Sequence, residues 1–180
     1  MTMPGTRILR DVLGHFGSGV TIVTAVHDGV PTGFTCQSFS ALSLAPPKVL
    51  LCPSRTSTSW PLIRTAPTFA VNVLSAAQCE LSDRFARSGG HKFGDIGWQS
   101  APGGAPILDG VAAWFELALD TEHPGGDHTV VIADILEFAA GGTSEPLIFS
   151  RGKYCGVIEF DHPDDPARRQ PIGADAGGEE

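Results

Sequence analysis

Val20-Thr21-Ile22-Val23-Thr24-Ala25-Val26-His27-Asp28-Gly29 is the stretch that sets the architecture. Val20, Ile22, Thr24 and Val26 alternate with Thr21, Val23 and Ala25, and a period of two among β-branched residues is the pattern of a strand over residues 19–26. Asp28-Gly29 tolerates the positive φ angles of a two-residue turn, and residues 33–38 supply the returning strand, so the stretch predicts a β-hairpin. Apolar runs of strand length recur outward from it at residues 49–52, 69–74, 113–119, 129–138, 146–149 and 154–160. About eight strands with two or three short helices predict a mainly β fold, an antiparallel barrel, because closing the sheet removes its edges.

The helices are short. Ile8, Leu9, Val12, Leu13 and Phe16 recur at helical spacing after Thr6, a candidate N-cap, and Gly14 and Gly17 end the pattern. Ser59 or Trp60 caps a brief helix with Pro61 in its first turn. Ser75-Ala76-Ala77-Gln78 matches a capping box, and the helix through Leu81 and Phe85 stops before Gly89-Gly90. Residues 89–110 are too long for a turn and read as a functional or packing loop. The expected division is one domain over residues 1–160 and a disordered acidic tail over residues 161–180, whose Asp, Pro and Gly cannot repay the entropy of folding.

Composition agrees. The 180 residues hold 42% hydrophobic residues with 22 Gly and 14 Pro, a globular and turn-rich balance. The net charge is −8, with no basic cluster beyond Arg168-Arg169, which excludes the electrostatic footprint of a nucleic-acid binder. Cys36, Cys52, Cys79 and Cys155 lie too far apart for a zinc signature, and free thiols in a reducing cytoplasm are expected. No apolar run approaches the roughly 18 residues of a membrane span, so no membrane partner is expected. Gly17-Ser18-Gly19 opens like a dinucleotide fingerprint but has Ile22 in place of the third glycine and precedes a strand.

Four stretches could carry chemistry. Gly33-Phe34-Thr35-Cys36-Gln37-Ser38 sets hydroxyls, an amide and backbone N–H groups where a strand turns into a loop, which suits the edge of a flat polar ring and equally suits a barrel corner. Ser54-Arg55-Thr56-Ser57-Thr58-Ser59 puts a cation and several hydroxyls at the start of a short helix, an anion cradle or simply a capped helix with a surface arginine. Gly125-Gly126-Asp127-His128-Thr129 presents an imidazole at the mouth of a strand, fit to orient a second ring or move a proton, or to be an ordinary loop histidine. Pro124 and the glycines deny His123, Asp127 and His128 the geometry of a metal site, so none is expected. Phe149-Ser150-Arg151-Gly152-Lys153-Tyr154 places aromatics and two cations at a hairpin, which suits a nucleotide-bearing ligand or plain hairpin chemistry.

Together with Phe16-Gly17-Ser18-Gly19-Val20-Thr21, Leu44-Ala45-Pro46-Pro47, Phe69-Ala70-Val71-Asn72-Val73-Leu74 and Lys92-Phe93, these stretches resemble the reductase components of two-component flavin-dependent monooxygenases, the 4-hydroxyphenylacetate hydroxylase reductase family. The resemblance runs in family order over nearly all of residues 7–160. It implies a split-barrel flavin-binding fold, a homodimer, and hydride transfer from NADH, or less often NADPH, to FAD or FMN, with the reduced flavin passing to a separate oxygenase. By the same resemblance the flavin lies against Gly33, Phe34, Thr35, Cys36, Gln37 and Ser38. Its phosphate falls at Cys52, Pro53, Ser54, Arg55, Ser57, Thr58 and Ser59, and Arg84, Phe85, Lys92 and Phe93 close the far side. NADH stacks near Arg151, Gly152, Lys153, Tyr154 and His128, the candidate catalytic residue. Gln37 stands where many relatives carry Asn, and His91 where they carry an acid, which leaves FAD and FMN both open. Such chemistry belongs to the cofactors, and the protein chiefly positions them. Two other readings are a flavoprotein that keeps FMN tightly bound as an oxidase, and a non-catalytic flavin-binding module.

Overall fold

A computed structural model describes residues 5–142 and 145–158, and over these the opening hairpin forms as its sequence predicts. β1 (Ser18–Gly19) is followed by β2 (Thr21–His27) and β3 (Val30–Cys36), the last two paired antiparallel with His27 opposite Val30. Asp28 has φ 48° and Gly29 φ 76°, both left-handed, as a turn matching the twist of the two strands requires. β2 is buried on both faces from Thr21 to Ala25. Two hydroxyls make this tolerable. Thr21 donates to the Cys36 carbonyl at 2.7 Å and Thr24 to that of Pro106 at 2.6 Å, so neither polar group is stranded in the core.

The remaining strands are β4 (Ser40–Leu44), β5 (Pro47–Leu51), β6 (Phe69–Val73), β7 (Trp98–Ser100), β8 (Pro106–Leu108), β9 (Ala113–Gly125), β10 (His128–Ala140), β11 (Ile148–Ser150) and β12 (Lys153–Cys155). With β2 and β3, five of them form one seven-stranded antiparallel sheet in the order β3-β2-β6-β9-β10-β5-β4. Val23, Cys36, Leu51, Val71, Leu117 and Val131, one each from β2, β3, β5, β6, β9 and β10, pack in a single buried cluster. A flat sheet could not bring β3 and β5 together from opposite ends of that order, so the sheet curls around its own apolar face. The seam is Ser38. Its hydroxyl donates to the Cys52 carbonyl at 3.0 Å and accepts the Cys52 N–H at 2.9 Å, joining the chain just past β3 to the chain just past β5.

A second apolar cluster covers the other face of β2 and β6. Ile22 and Ala70 meet Phe85 of helix α3 (Cys79–Ala86) and Ile107 of β8 there. Helices α1 (Thr6–Leu13) and α2 (Trp60–Ile63) complete the described elements. Thr6 is the first residue of α1 and Gly5 precedes it as the cap, and the apolar face of the helix stays uncovered, with Ile8 70% exposed.

Four strands go beyond the eight expected. β1 has two residues, β4 is a run of serines and small or apolar residues, and β7 and β8 pair inside the segment expected as a loop. β9 and β10 also outrun their apolar stretches, since from Asp120 to Gly125 the hairpin is largely solvated and carries no hydrophobic pattern. β12 ends at Cys155, and the proposed tail at 161–180 lies outside the described residues. The capping box is half made: Gln78 Oε1 accepts the Ser75 N–H at 3.0 Å, while α3 starts only at Cys79.

Ser38→Ala removes both bonds at the seam. With about 0.5–1.5 kcal/mol for each, it is expected to lower stability by about 1–3 kcal/mol, read as an earlier urea midpoint with an unchanged slope.

Candidate active site

The seam that closes the sheet also floors a cavity of about 460 Å³. One wall is the end of β3 and the residues after it, Phe34 to Ser38. The second is the loop from Cys52 to Ser59, in which every residue but Arg55 lines the cavity. The third is the end of α3 with its exit, Phe85 to Ser88, together with Lys92, and His128 completes the rim. The size falls in the roughly 300–1,000 Å³ range of small-molecule sites.

The hydroxyl-rich loop spends most of its polarity on itself. Pro53 follows β5, Ser57 N–H donates to the Ser54 carbonyl at 2.9 Å, and Thr56 N–H to Ser54 Oγ at 3.2 Å. Ser57 Oγ accepts the Trp60 N–H at 3.1 Å, while Ser59 donates to the Gly33 carbonyl at 3.1 Å. Ser59 is the N-cap of α2, one of the two residues expected there, but its side chain makes no capping bond, and the sequence had also assigned an anion site to the helix start. With one turn of helix and its first N–H already engaged, α2 has little dipole to offer. Gln37 and Thr58 carry side-chain polar groups with no partner among the described residues, and these face the cavity as open hydrogen-bonding groups.

Lys92 ties two walls together. Its ammonium donates to the Gly33 carbonyl at 3.0 Å and the Phe85 carbonyl at 3.1 Å and lies 5.9 Å from the centre of the Phe85 ring. Burial lowers its pKa from the ordinary lysine value. Thr35 fastens the same walls by donating to the Ser82 carbonyl at 2.6 Å. Gly33 is required at this junction, because a Cβ would stand 2.8 Å from the Val23 carbonyl oxygen and 2.9 Å from the Phe85 ring. Cys36 lies on the floor, its thiol 3.3 Å from Ser38 Oγ, and burial pushes the thiol up.

His128 is held from two sides. The hairpin tip is stitched to the loop by Arg55 N–H on the Asp127 carbonyl and Thr129 N–H on the Pro53 carbonyl, both at 3.0 Å. Asp127 Oδ1 lies 2.8 Å from Nδ1, which leaves Nε2 without a partner among the described residues. The imidazole in turn holds the Asp127 carboxyl below the usual carboxylate range.

Several expected residues lie elsewhere. Arg55 lines a separate cleft of about 250 Å³ beside Glu122 and His123. Arg84 is ion-paired with Asp95, and Phe93 packs edge-on against Phe85 at 5.1 Å. Arg151, Gly152, Lys153 and Tyr154 do not line the cavity. Arg151 N–H donates to the Gly14 carbonyl at 2.7 Å, and the Tyr154 hydroxyl donates to Asp83 at 2.6 Å, with burial and that carboxylate raising the phenol pKa. Arg87 and Ser88 were missed. The signal was the exit of α3, where Arg87 already has extended backbone (φ −81°, ψ 145°) and swings off the helix into the cavity wall.

An apolar floor with polar groups at the rim and two cations, Lys92 held by carbonyls and Arg87 without a partner among the described residues, suits a flat heteroaromatic ring bearing a phosphate. The comparisons agree. Residues 13–157 match the flavin reductase like domain. The reductase subunit HsaB of a flavin-dependent monooxygenase from Rhodococcus jostii is 46% identical over 84% of this chain and 77% of its own length. A crystal structure of a nitrilotriacetate monooxygenase component B homologue from Mycobacterium thermoresistibile superposes with a TM-score of 0.81 at 40% identity, covering 93% of this chain and 91% of that one. An NADH:FAD oxidoreductase from Streptomyces globisporus, solved with NAD and FAD fragments, gives 0.79 at 34% identity over 92% and 99%. The chain belongs to the flavin reductase-like family. It is an oxidoreductase that reduces flavin, on the split-barrel fold that its antiparallel strands build.

Asp127 should titrate below an ordinary aspartate in a carboxyl NMR experiment and return toward the usual value of about 3.9 in His128→Ala. Because the folded pKa is depressed, the pair supports the hairpin above the unfolded value and is lost as pH falls through the folded one.

Proposed function

We propose that this protein passes hydride from NADH to FAD and releases the reduced flavin to a separate monooxygenase. The observation that carries this reading is the cavity itself, where the unpaired groups of Gln37 and Thr58 and the guanidinium of Arg87 surround an apolar floor with His128 fixed at the rim. When bound, the flavin supplies the redox chemistry, accepting hydride and handing electrons on. Gln37 would hold the polar edge of the ring, while Ser57, Thr58 and Arg87 would take the phosphate-bearing tail. Phe34, Cys36, Pro53 and Phe85 exclude water beneath. His128 offers Nε2 to a second ring or to a proton in transit, and Asp127 fixes its orientation.

A site with so many exposed walls favours a flavin that comes and goes, as a supplier of reduced flavin needs. Leu44 is 92% and Phe138 69% exposed, which supports the homodimer that the family resemblance implies. None of the four cysteines is in a disulfide, in keeping with a cytoplasmic protein, and no helix among the described residues is long and apolar enough to cross a membrane.

Steady-state NADH oxidation with added FAD, and separately with FMN, tests the reading. Flavin-dependent turnover is expected, with FAD preferred, and a purified protein inert with both would sink it. His128→Ala is expected to slow flavin reduction about tenfold while largely keeping flavin affinity, the effect of losing one hydrogen bond at the reacting pair. Stopped-flow bleaching and a flavin titration separate the two.

A further inference from the structure

Two of the four thiols meet at the seam, and the proposed hydride transfer uses neither sulfur. Cys36 ends β3 and Cys52 follows β5, and both line the cavity. Ser38 ties them together: its hydroxyl lies 3.3 Å from the Cys36 sulfur and bonds both the N–H and the carbonyl of Cys52. The two sulfurs are close enough for the charge of one thiolate to oppose the other. Their access differs. Cys52 is half-buried on the cavity wall, within reach of a small solute, whereas Cys36 is 5% exposed. Burial, outweighing the Ser38 hydroxyl and the Ser38 and Cys52 N–H groups around it, pushes the Cys36 thiol up, so Cys52 is the one to react first. Cys79 and Cys155 lie outside the cavity lining.

We propose that Cys52 and Cys36 are a peroxide-sensitive pair whose oxidation to a disulfide closes the flavin cavity. Hydrogen peroxide is the oxidant, formed when reduced flavin gives two electrons and two protons to dioxygen. The Cys52 thiolate attacks one peroxide oxygen, the O–O bond breaks, and a sulfenic acid and one water result. The Cys36 sulfur then attacks the Cys52 sulfur, the S–O bond breaks, and the Cys36 proton leaves with the hydroxyl group as a second water. Two thiols and one peroxide thus give one disulfide and two waters. A sulfur–sulfur bond of about 2.0 Å draws the wall that ends β3 toward the wall that follows β5 and narrows the floor between them. The seam already holds these two segments at hydrogen-bond distance, which limits the backbone travel the bond requires. The inference rests on the reductase reading for its source of peroxide: reduced flavin that no oxygenase consumes makes the oxidant, and the oxidant shuts the reductase.

Hydrogen peroxide added directly to the reduced, flavin-free chain tests the pair without turnover. Thiols left free are capped with N-ethylmaleimide, and the unreduced peptides are mapped by mass spectrometry. A peptide pair joining Cys36 to Cys52 is expected, flavin affinity should fall about tenfold and return with dithiothreitol, and saturating FAD beforehand should suppress the link. The proposal is overturned by N-ethylmaleimide on both Cys36 and Cys52 after peroxide, by a dimedone adduct that persists at Cys52 beside a free Cys36, or by a link between two chains. A link that forms equally fast with FAD bound, or that leaves flavin affinity unchanged, overturns it too. Cys52→Ser, compared with itself before and after peroxide, is expected to hold its own flavin affinity within about twofold, and a tenfold loss there would place the sensitive group elsewhere. Failure of the reductase reading shows differently, as absence of NADH oxidation in the untreated protein whatever peroxide does to the thiols.

Discussion

The structure turns on one hydroxyl. Ser38 bonds both the N–H and the carbonyl of Cys52, and through that pair the chain past β3, at one end of a curled seven-stranded sheet, meets the chain past β5, next to the other end. The driving force for the curl is apolar: six strands send side chains into one buried cluster, each large one contributing about 1.5–3 kcal/mol when fully buried. Burial alone does not say where the sheet stops, whereas directional bonds between one loop's hydroxyl and another loop's backbone do. The ligand cavity lies along that join, so chemistry and closure share the same residues.

This sharing explains how the hydroxyl-rich segments behave. In residues 54–59 the side chains first satisfy their own turn, the first N–H of α2 and the Gly33 carbonyl. What faces the cavity is the remainder, chiefly Gln37 and Thr58, with Arg87 arriving from another part of the chain. A polar lining arranged in this way is held rigid by bonds that a ligand need not break, which lowers the cost of ordering it on binding.

Much of the fold and part of the site were legible in the residues. The hairpin could be read because Asp28-Gly29 and the flanking β-branched residues make a local signal, and the walls at 33–38 and 52–59 because small and hydroxyl residues cluster there. Long-range facts were not. Arg55 and Arg87 are both arginines beside cavity-lining residues, yet only Arg87 lines the cavity, because the Arg55 N–H is drawn to the Asp127 carbonyl while Arg87 leaves its helix in extended backbone. Likewise Arg84 looks available until its ion pair with Asp95 is seen, and Arg151 to Tyr154 lie outside the cavity lining. The strands β7 and β8 escaped because three residues each, inside a glycine- and proline-rich stretch, show no period.

The Lys92 ammonium clips the Gly33 carbonyl to the Phe85 carbonyl, while Thr35 clips the neighbouring turn of α3. Strand and helix are thus joined by polar contacts at the mouth of a pocket and by a buried ring beneath it. A molecule seated there would bear at once on β3, on the exit of α3 and on the β9–β10 tip, segments remote in sequence. Occupancy would then act as a brace, and the midpoint of thermal melting would climb with the logarithm of free ligand once it exceeds the dissociation constant, reporting affinity without any turnover.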